Sequence, residues 1–136
     1  MPGSIQIQSA VLREMIEHAR RDPRLECCGL LAGRDHQITH AYPAENVAAR
    51  PATNYEVATK EIINLTRQIR ENELELLGIY HSHPNGAEEP SPTDVATAGY
   101  PDVAYFIVSH ISDANPQVRA FSIRDGHISE MNLLAV

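Results

Sequence analysis

Two histidines stand two apart in the stretch IYHSHPNGAEEPSPTD, residues 79–94, and the same stretch closes on a serine and an aspartate. In an extended strand alternate side chains share a face, so His81 and His83 project together while Ser82 points away. Two imidazoles on one face suit a single cation. Pro84, Asn85, Gly86 and Pro90 then force the chain out of the strand, since proline lacks the ladder donor and Asn-Gly favours a turn. Order restarts at SPTD: Ser91 sits where a helix cap belongs, Pro92 at the first helical position and Asp94 in the first turn. A carboxylate there supplies a third ligand of oxygen type and leaves one position of a tetrahedral zinc for water, the open arrangement of catalytic sites. A closed structural site needs a fourth protein ligand, and Cys27 and Cys28 are the only soft candidates. Taken singly, each part has an ordinary explanation: surface histidines are solvated, Ser91 caps, and Asp94 complements the helix dipole. None of these explains why a strand, a Pro-Gly loop and a capped helix converge with three ligand-type side chains.

These residues need elements to hold them. SIQIQ alternates like a half-buried strand, and Ser9 is expected to cap a helix carrying Val11, Leu12, Met15, Ile16 and Ala19 on one face. ECCGLLAG is a buried strand that GRD turns into HQITHAY, with Pro43 closing the unit. Residues 44–54 are irregular and form a candidate surface loop over a site. TKEIINLTRQIREN spaces Ile62, Leu65 and Ile69 for an amphipathic helix, and LELLGIYHSH is the strand that bears the histidines. VAYFIVSHI is a further buried strand, and Asp125-Gly126 joins two alternating runs as a hairpin. The order predicts an α/β fold: a mixed curved sheet flanked by helices.

A chain of 136 residues suits one domain spanning 1–136. Its apolar fraction of 43% and charged fraction of 21% are those of a globular protein. The formal charge of -7 argues against nucleic acid and against anionic membranes as partners. No apolar run approaches the ~20 residues of a membrane span. MPGSIQIQSA lacks the pattern of a secretory leader. Cys27 and Cys28 are adjacent, too close for an unstrained mutual disulfide, so reduced thiols packed in a core and a cytoplasmic location are expected. The other histidines, His18, His36, His40, His110 and His127, lack ligand-type company and are expected to be structural or exposed.

At the opening stretch the sequence resembles the JAMM (MPN+) zinc metalloproteases, whose motif is an upstream glutamate followed by HxHx7SxxD. Here it reads His81, His83, seven residues Pro84 to Pro90, Ser91 and Asp94, with Glu26 leading ECCGLLAG as the upstream glutamate. The resemblance covers essentially the whole chain and implies the MPN fold, which is like that of cytidine deaminases. It further implies one Zn2+ per chain on His81, His83 and Asp94, with Glu26 as general base and Ser91 stabilising the oxyanion. Such enzymes cleave amide bonds after the C-terminal glycines of ubiquitin-like proteins. The compact chain is similar to the stand-alone prokaryotic members, above all the cysteine-releasing type, which act on ubiquitin-like sulfur carriers ending in Gly-Gly. A chain of this size is compatible with a homodimer. Two rival classes share parts of the pattern: a cupin, through HxH and Glu88, which would be an all-β barrel, and a metal-free MPN scaffold, which would have lost ligands.

Overall fold

A computed structural model describes residues 3–110 and 117–136 of the chain. In order they form β1 (Ser4–Ile7), α1 (Ser9–Arg21), β2 (Cys28–Arg34), β3 (Gln37–Ala44), α2 (Thr59–Glu71), β4 (Glu75–His83), α3 (Pro92–Thr97), β5 (Ala104–Ser109), β6 (Gln117–Arg124) and β7 (His127–Ala135). The apolar run Val103–Ile111 thus yields β5, its last residue lying outside the described residues. The strands hydrogen-bond in the order β1-β3-β2-β4-β5-β6-β7, and β1 closes the sheet because it pairs in parallel with both β3 and β7. The sheet is mixed and curved, as expected, but its closure is not a feature of any single run of residues.

Helices cover it from two sides. Val11, Met15 and Ala19 of α1 pack with Ile5, Ile7, Leu31, Ile38, Tyr80, Phe106 and Val108. Leu65 and Ile69 of α2 pack with Cys28, Leu30, Ala32, Ile79 and Tyr105. Leu30 and Ala32 therefore face one helix and Leu31 the other, which is why β2 reads as an unbroken apolar run. Ser9 is not the cap of α1. Gln8 occupies that position, while Ser9 is the first helical residue and both its backbone N–H and its Oγ donate to the Val136 carbonyl, at 2.9 and 3.1 Å. The parallel pairing of β1 with β7 brings that carbonyl to the helix start.

Pro43 does not end its unit either, since β3 runs on to Ala44. Proline is tolerated there because β1 pairs only with Gln37 and Ile38, so at Pro43 the ladder continues on the β2 side alone. The β2–β3 turn lies at Asp35 and His36, both with positive φ (52° and 61°), one residue beyond the GRD signal. Asp125 and Gly126 take the same left-handed geometry between β6 and β7, as the primed hairpin turns require.

One irregularity decides which way the histidines face. Leu31 pairs with Gly78 but Ala32 pairs with Leu76, so Leu77 is an extra residue in β4, a bulge. A one-residue slip exchanges the faces of a strand. Beyond the bulge Ile79, His81 and His83 lie on the α2 side, and Tyr80 and Ser82 on the α1 side. Tyr80 is fully buried, its hydroxyl 2.7 Å from His18 Nδ1, and its ring lies over Gly29 on β2, where a Cβ would overlap it.

Candidate metal centre

β4 lies between an antiparallel neighbour, β2, and a parallel one, β5, and the crossover from β4 to β5 carries α3. The site forms at the carboxyl end of β4, where such crossovers leave a crevice. The β2–β4 register sets Cys28 against His81. Continued by two residues it brings Glu26 opposite His83, so a residue far upstream reaches the histidines. Cys27 and Ser82 extend the ladder: Ser82 N–H donates to the Cys27 carbonyl (3.1 Å), and Cys27 N–H to Ser82 Oγ (2.9 Å). Ser82 is thereby occupied in holding the Glu26 segment to β4.

α3 delivers the second carboxylate. Ser91 is its cap, Pro92 its first residue, and Asp94 completes a capping box: Ser91 Oγ accepts from Asp94 N–H (3.0 Å), and Asp94 Oδ2 accepts from Ser91 N–H (2.8 Å). The same Oδ2 lies 3.1 Å from His81 Nε2 and 3.0 Å from His83 Nε2, and the two nitrogens are 3.1 Å apart. His83 Nδ1 faces the Ala87 carbonyl at 3.0 Å. That contact holds its proton on Nδ1 and turns the Nε2 lone pair into the site.

These atoms fit a zinc ion. A tetrahedral ion with bonds of ~2.0–2.1 Å sets its ligands roughly 3.3 Å apart. The observed triangle has edges of 3.0 to 3.1 Å and needs only a slight opening. Glu26, 4% exposed, adds a second carboxylate whose oxygen lies within 4.8 Å of the ligand nitrogens of both histidines. Its Oε1 is buried with no hydrogen-bond partner among the described residues. Such an atom needs a proton, a water or a cation near it.

The electrostatics separate the two carboxylates. Burial acts to raise the pKa of Asp94, but hydrogen bonds to His81 and His83, their charge and the Ser91 N–H outweigh it and hold the carboxyl well below the usual range. The Glu26 carboxyl has no such bonds among the described residues. Burial, opposed by the charge of His83 and aided by that of Asp94, pushes it up to about 7. The imidazoles differ too. Burial lowers His81 despite Asp94, whereas for His83 burial is outweighed by the hydrogen bond and charge of Asp94, which raise it. The cluster thus holds an ionised carboxylate beside a carboxyl poised near neutrality.

All five residues singled out in the sequence, Glu26, His81, His83, Ser91 and Asp94, therefore meet at one place. The cysteines stay outside it. Both are free thiols, Cys28 buried under α2 and Cys27 half-buried, and burial first of all pushes them up to about 12 and about 11. His18 is structural, held on Tyr80, and His40 stacks on Tyr42. The cupin alternative fails, because α1, α2 and α3 have no place in an all-β barrel and Asp94 belongs to the cluster. Glu88 lies on the loop between His83 and α3, outside the cluster of ligand atoms. Two residues were missed. Tyr55 stacks on His81 with ring centroids 4.4 Å apart and planes at 21°, and Asn46 bonds to the Glu26 carbonyl. Asn46 lies in the irregular stretch 44–54 and Tyr55 directly after it, where no periodicity betrays them. Tyr55 also lines an apolar cavity of about 220 Å³ with Leu30, Val57, Ile62, Ile79 and Tyr100.

Comparison with known proteins gives the same picture from another side. Residues 8–124 match the family model described as prokaryotic homologs of the JAB domain. Among curated proteins, the desampylase of Haloferax volcanii is 36% identical over 104 residues, 75% of each chain. The CysO-cysteine peptidase of Mycobacterium tuberculosis is 35% identical over 127 residues, 91% of this chain and 86% of the relative. A probable TtuB-protein conjugate cleaving protease of Thermus thermophilus is 31% identical over 120 residues, 88% and 76%. Among solved structures, a protein from Desulfitobacterium hafniense superposes with a TM-score of 0.87 at 28% identity, covering 97% of this chain and 92% of that one. A JAB1/MPN domain protein from Archaeoglobus fulgidus shares the fold, with a TM-score of 0.61 at 18% identity, over 98% and 99%.

Proposed function

The chain belongs to the prokaryotic JAB-domain family of JAMM-type peptidases, and from that membership we propose that it hydrolyses, with one zinc ion, the amide bond after the C-terminal Gly-Gly of a small ubiquitin-like sulfur-carrier protein. The leaving group is cysteine or the amine of a lysine-linked target. Two relatives whose names specify a peptidase and a conjugate-cleaving protease support the reaction class. The observation that carries the mechanism is the triangle of His81 Nε2, His83 Nε2 and Asp94 Oδ2 beside Glu26 Oε1, which is buried with no hydrogen-bond partner among the described residues.

In this proposal His81, His83 and Asp94 hold the zinc. Bound by these three residues, the ion would supply Lewis acidity to the scissile carbonyl and would lower the pKa of a water from 15.7 to about 7. Glu26 takes a proton from the attacking water and delivers it to the departing amine. A carboxyl near 7 serves both directions, since it gains and loses a proton at little cost at neutral pH. Ser91 spends an oxygen lone pair on Asp94 N–H, which leaves its hydroxyl hydrogen to donate to the developing oxyanion. The cap and the oxyanion donor are thus one side chain used at two ends. A metal-free scaffold is disfavoured because every ligand-type residue is in place. Two reduced thiols suit a cytoplasmic enzyme.

Two conjugates test the proposal: a Gly-Gly carrier extended by cysteine, and the same carrier joined to a lysine side chain. The zinc-loaded protein should cut at least one after the last glycine, and the ratio of kcat/KM values identifies the leaving group. If both stay intact under conditions where the protein holds zinc, the proposal is wrong.

A further inference from the structure

Glu26 stands two residues before β2 begins, so the ladder to β4 reaches it only through Cys27, and further bonds hold its own peptide groups. Its backbone N–H donates to the Pro51 carbonyl (2.8 Å), and its carbonyl accepts from Asn46 Nδ2 (2.9 Å). The Asn46 amide does more. Nδ2 also donates to the Asn54 carbonyl at 2.9 Å, with the Pro51 carbonyl at 3.5 Å, while Oδ1 accepts from Ala48 N–H (3.0 Å) and Glu56 N–H (3.1 Å). The contacts fix the orientation of the amide, since one end meets only carbonyls and the other only N–H groups.

Asn54 and Glu56 flank Tyr55, whose ring lies on His81. His81 Nδ1 has no hydrogen-bond partner among the described residues. Among the described residues His81 therefore has a ring stack, and no outer hydrogen bond of the kind that usually orients a metal-binding imidazole. One amide therefore ties the carbonyl of Glu26 to the two peptide groups that aim Tyr55.

We propose that Asn46 is the positioning residue of the site, holding Glu26 directly and His81 through Tyr55. The stretch 45–57 is then first of all a brace for the chemistry, and only secondarily a wall for substrate. The inference rests on the zinc peptidase reading above, and its test separates the two.

Asn46→Asp keeps the shape but sets an oxygen against the carbonyls of Glu26 and Asn54; Asn46→Ser is a second variant that removes the amide without adding charge. With either, zinc affinity measured against a chromophoric chelator should fall about 10-fold or more, and kcat on the carrier conjugate by a similar factor. KM should stay within about 2-fold, because the amide touches no substrate. Tyr55→Leu should weaken zinc to a like degree, whereas Tyr55→Phe, which keeps the ring, should bind zinc as the wild type does. A wild-type protein that neither binds zinc nor cleaves the conjugate would refute the functional reading itself. If the wild type does both, three results overturn the inference alone: a folded Asn46 variant with unchanged zinc affinity and kcat, whatever its melting temperature; a change confined to KM; or Tyr55→Leu holding zinc at full strength. Should both Asn46 variants fail to fold, the Tyr55 pair decides.

Discussion

Glu26→Gln should make the metal-free protein more stable at pH 8 than the wild type is, while all but abolishing turnover. The carboxyl has an ordinary value of 4.5 and is pushed up to about 7 in the fold, chiefly by burial. Below pH 4.5 native and unfolded chains both carry the proton and the group contributes nothing. Between 4.5 and 7 the unfolded chain loses its proton while the native chain keeps it, so native stability falls as pH rises, and above 7 the loss is complete. At about 1.36 kcal/mol per pH unit, roughly 2.5 kcal/mol of this loss falls between pH 5 and pH 8. Glutamine cannot ionise and escapes it. For 136 residues an unfolding entropy of ~2.1 cal/mol/K per residue converts this to about 9 °C in Tm. The assay is a pair of thermal melts in chelator, wild type and variant, at the two pH values. Any constant effect of the buried amide cancels in the difference between them. The variant should gain about 9 °C on the wild type from pH 5 to pH 8, keep its zinc site, and lose activity by more than ~10²-fold. A Tm difference that does not move with pH would show that Glu26 ionises as it does in water, and retained turnover would remove it from the mechanism.

Asp94→Asn should weaken zinc by at least ~10²-fold, beyond what loss of an outer partner costs, whereas Glu26→Gln should change zinc affinity less than ~10-fold. The reverse order, read from a chelator titration, would exchange the roles of the two carboxylates. Ser91→Ala should cost about 1 kcal/mol in denaturant melts through the lost cap, and lower kcat ~10²-fold with zinc retained. A kcat within about 3-fold of wild type would leave Ser91 as a cap and nothing more. Gly29→Ala should destabilise by ~1–3 kcal/mol, because its Cβ meets the buried Tyr80 ring, and an unchanged melting curve would refute that packing.

The histidines, Ser91 and Asp94 were legible because their chemistry is written locally: a period of two, a turn, and a cap three residues before a carboxylate. Glu26 was legible through the resemblance, and the structure supplies its physical reason, the β2–β4 register that sets it against His83. What the sequence hid is what depends on distant pairing. Closure of the sheet by β1 needs two partners that no single run reveals. The Leu77 bulge, which chooses the face of the histidines, leaves no mark in a run that is apolar on both sides. Ser9 looked like a cap until the Val136 carbonyl arrived from the other end of the chain. Asn46 and Tyr55 sit in a stretch whose order comes from one side chain bonding to scattered peptide groups, a pattern with no spacing rule.

Zinc-dependent hydrolysis can be followed by the intact mass of a carrier conjugate while zinc is returned to chelator-stripped protein. Cleavage after the terminal glycine should be absent at the start and should rise in proportion to added zinc, levelling at about one ion per chain, the stoichiometry of a single open site. Cleavage that persists in the stripped protein, or an intact conjugate once the protein is saturated with zinc, would contradict the account.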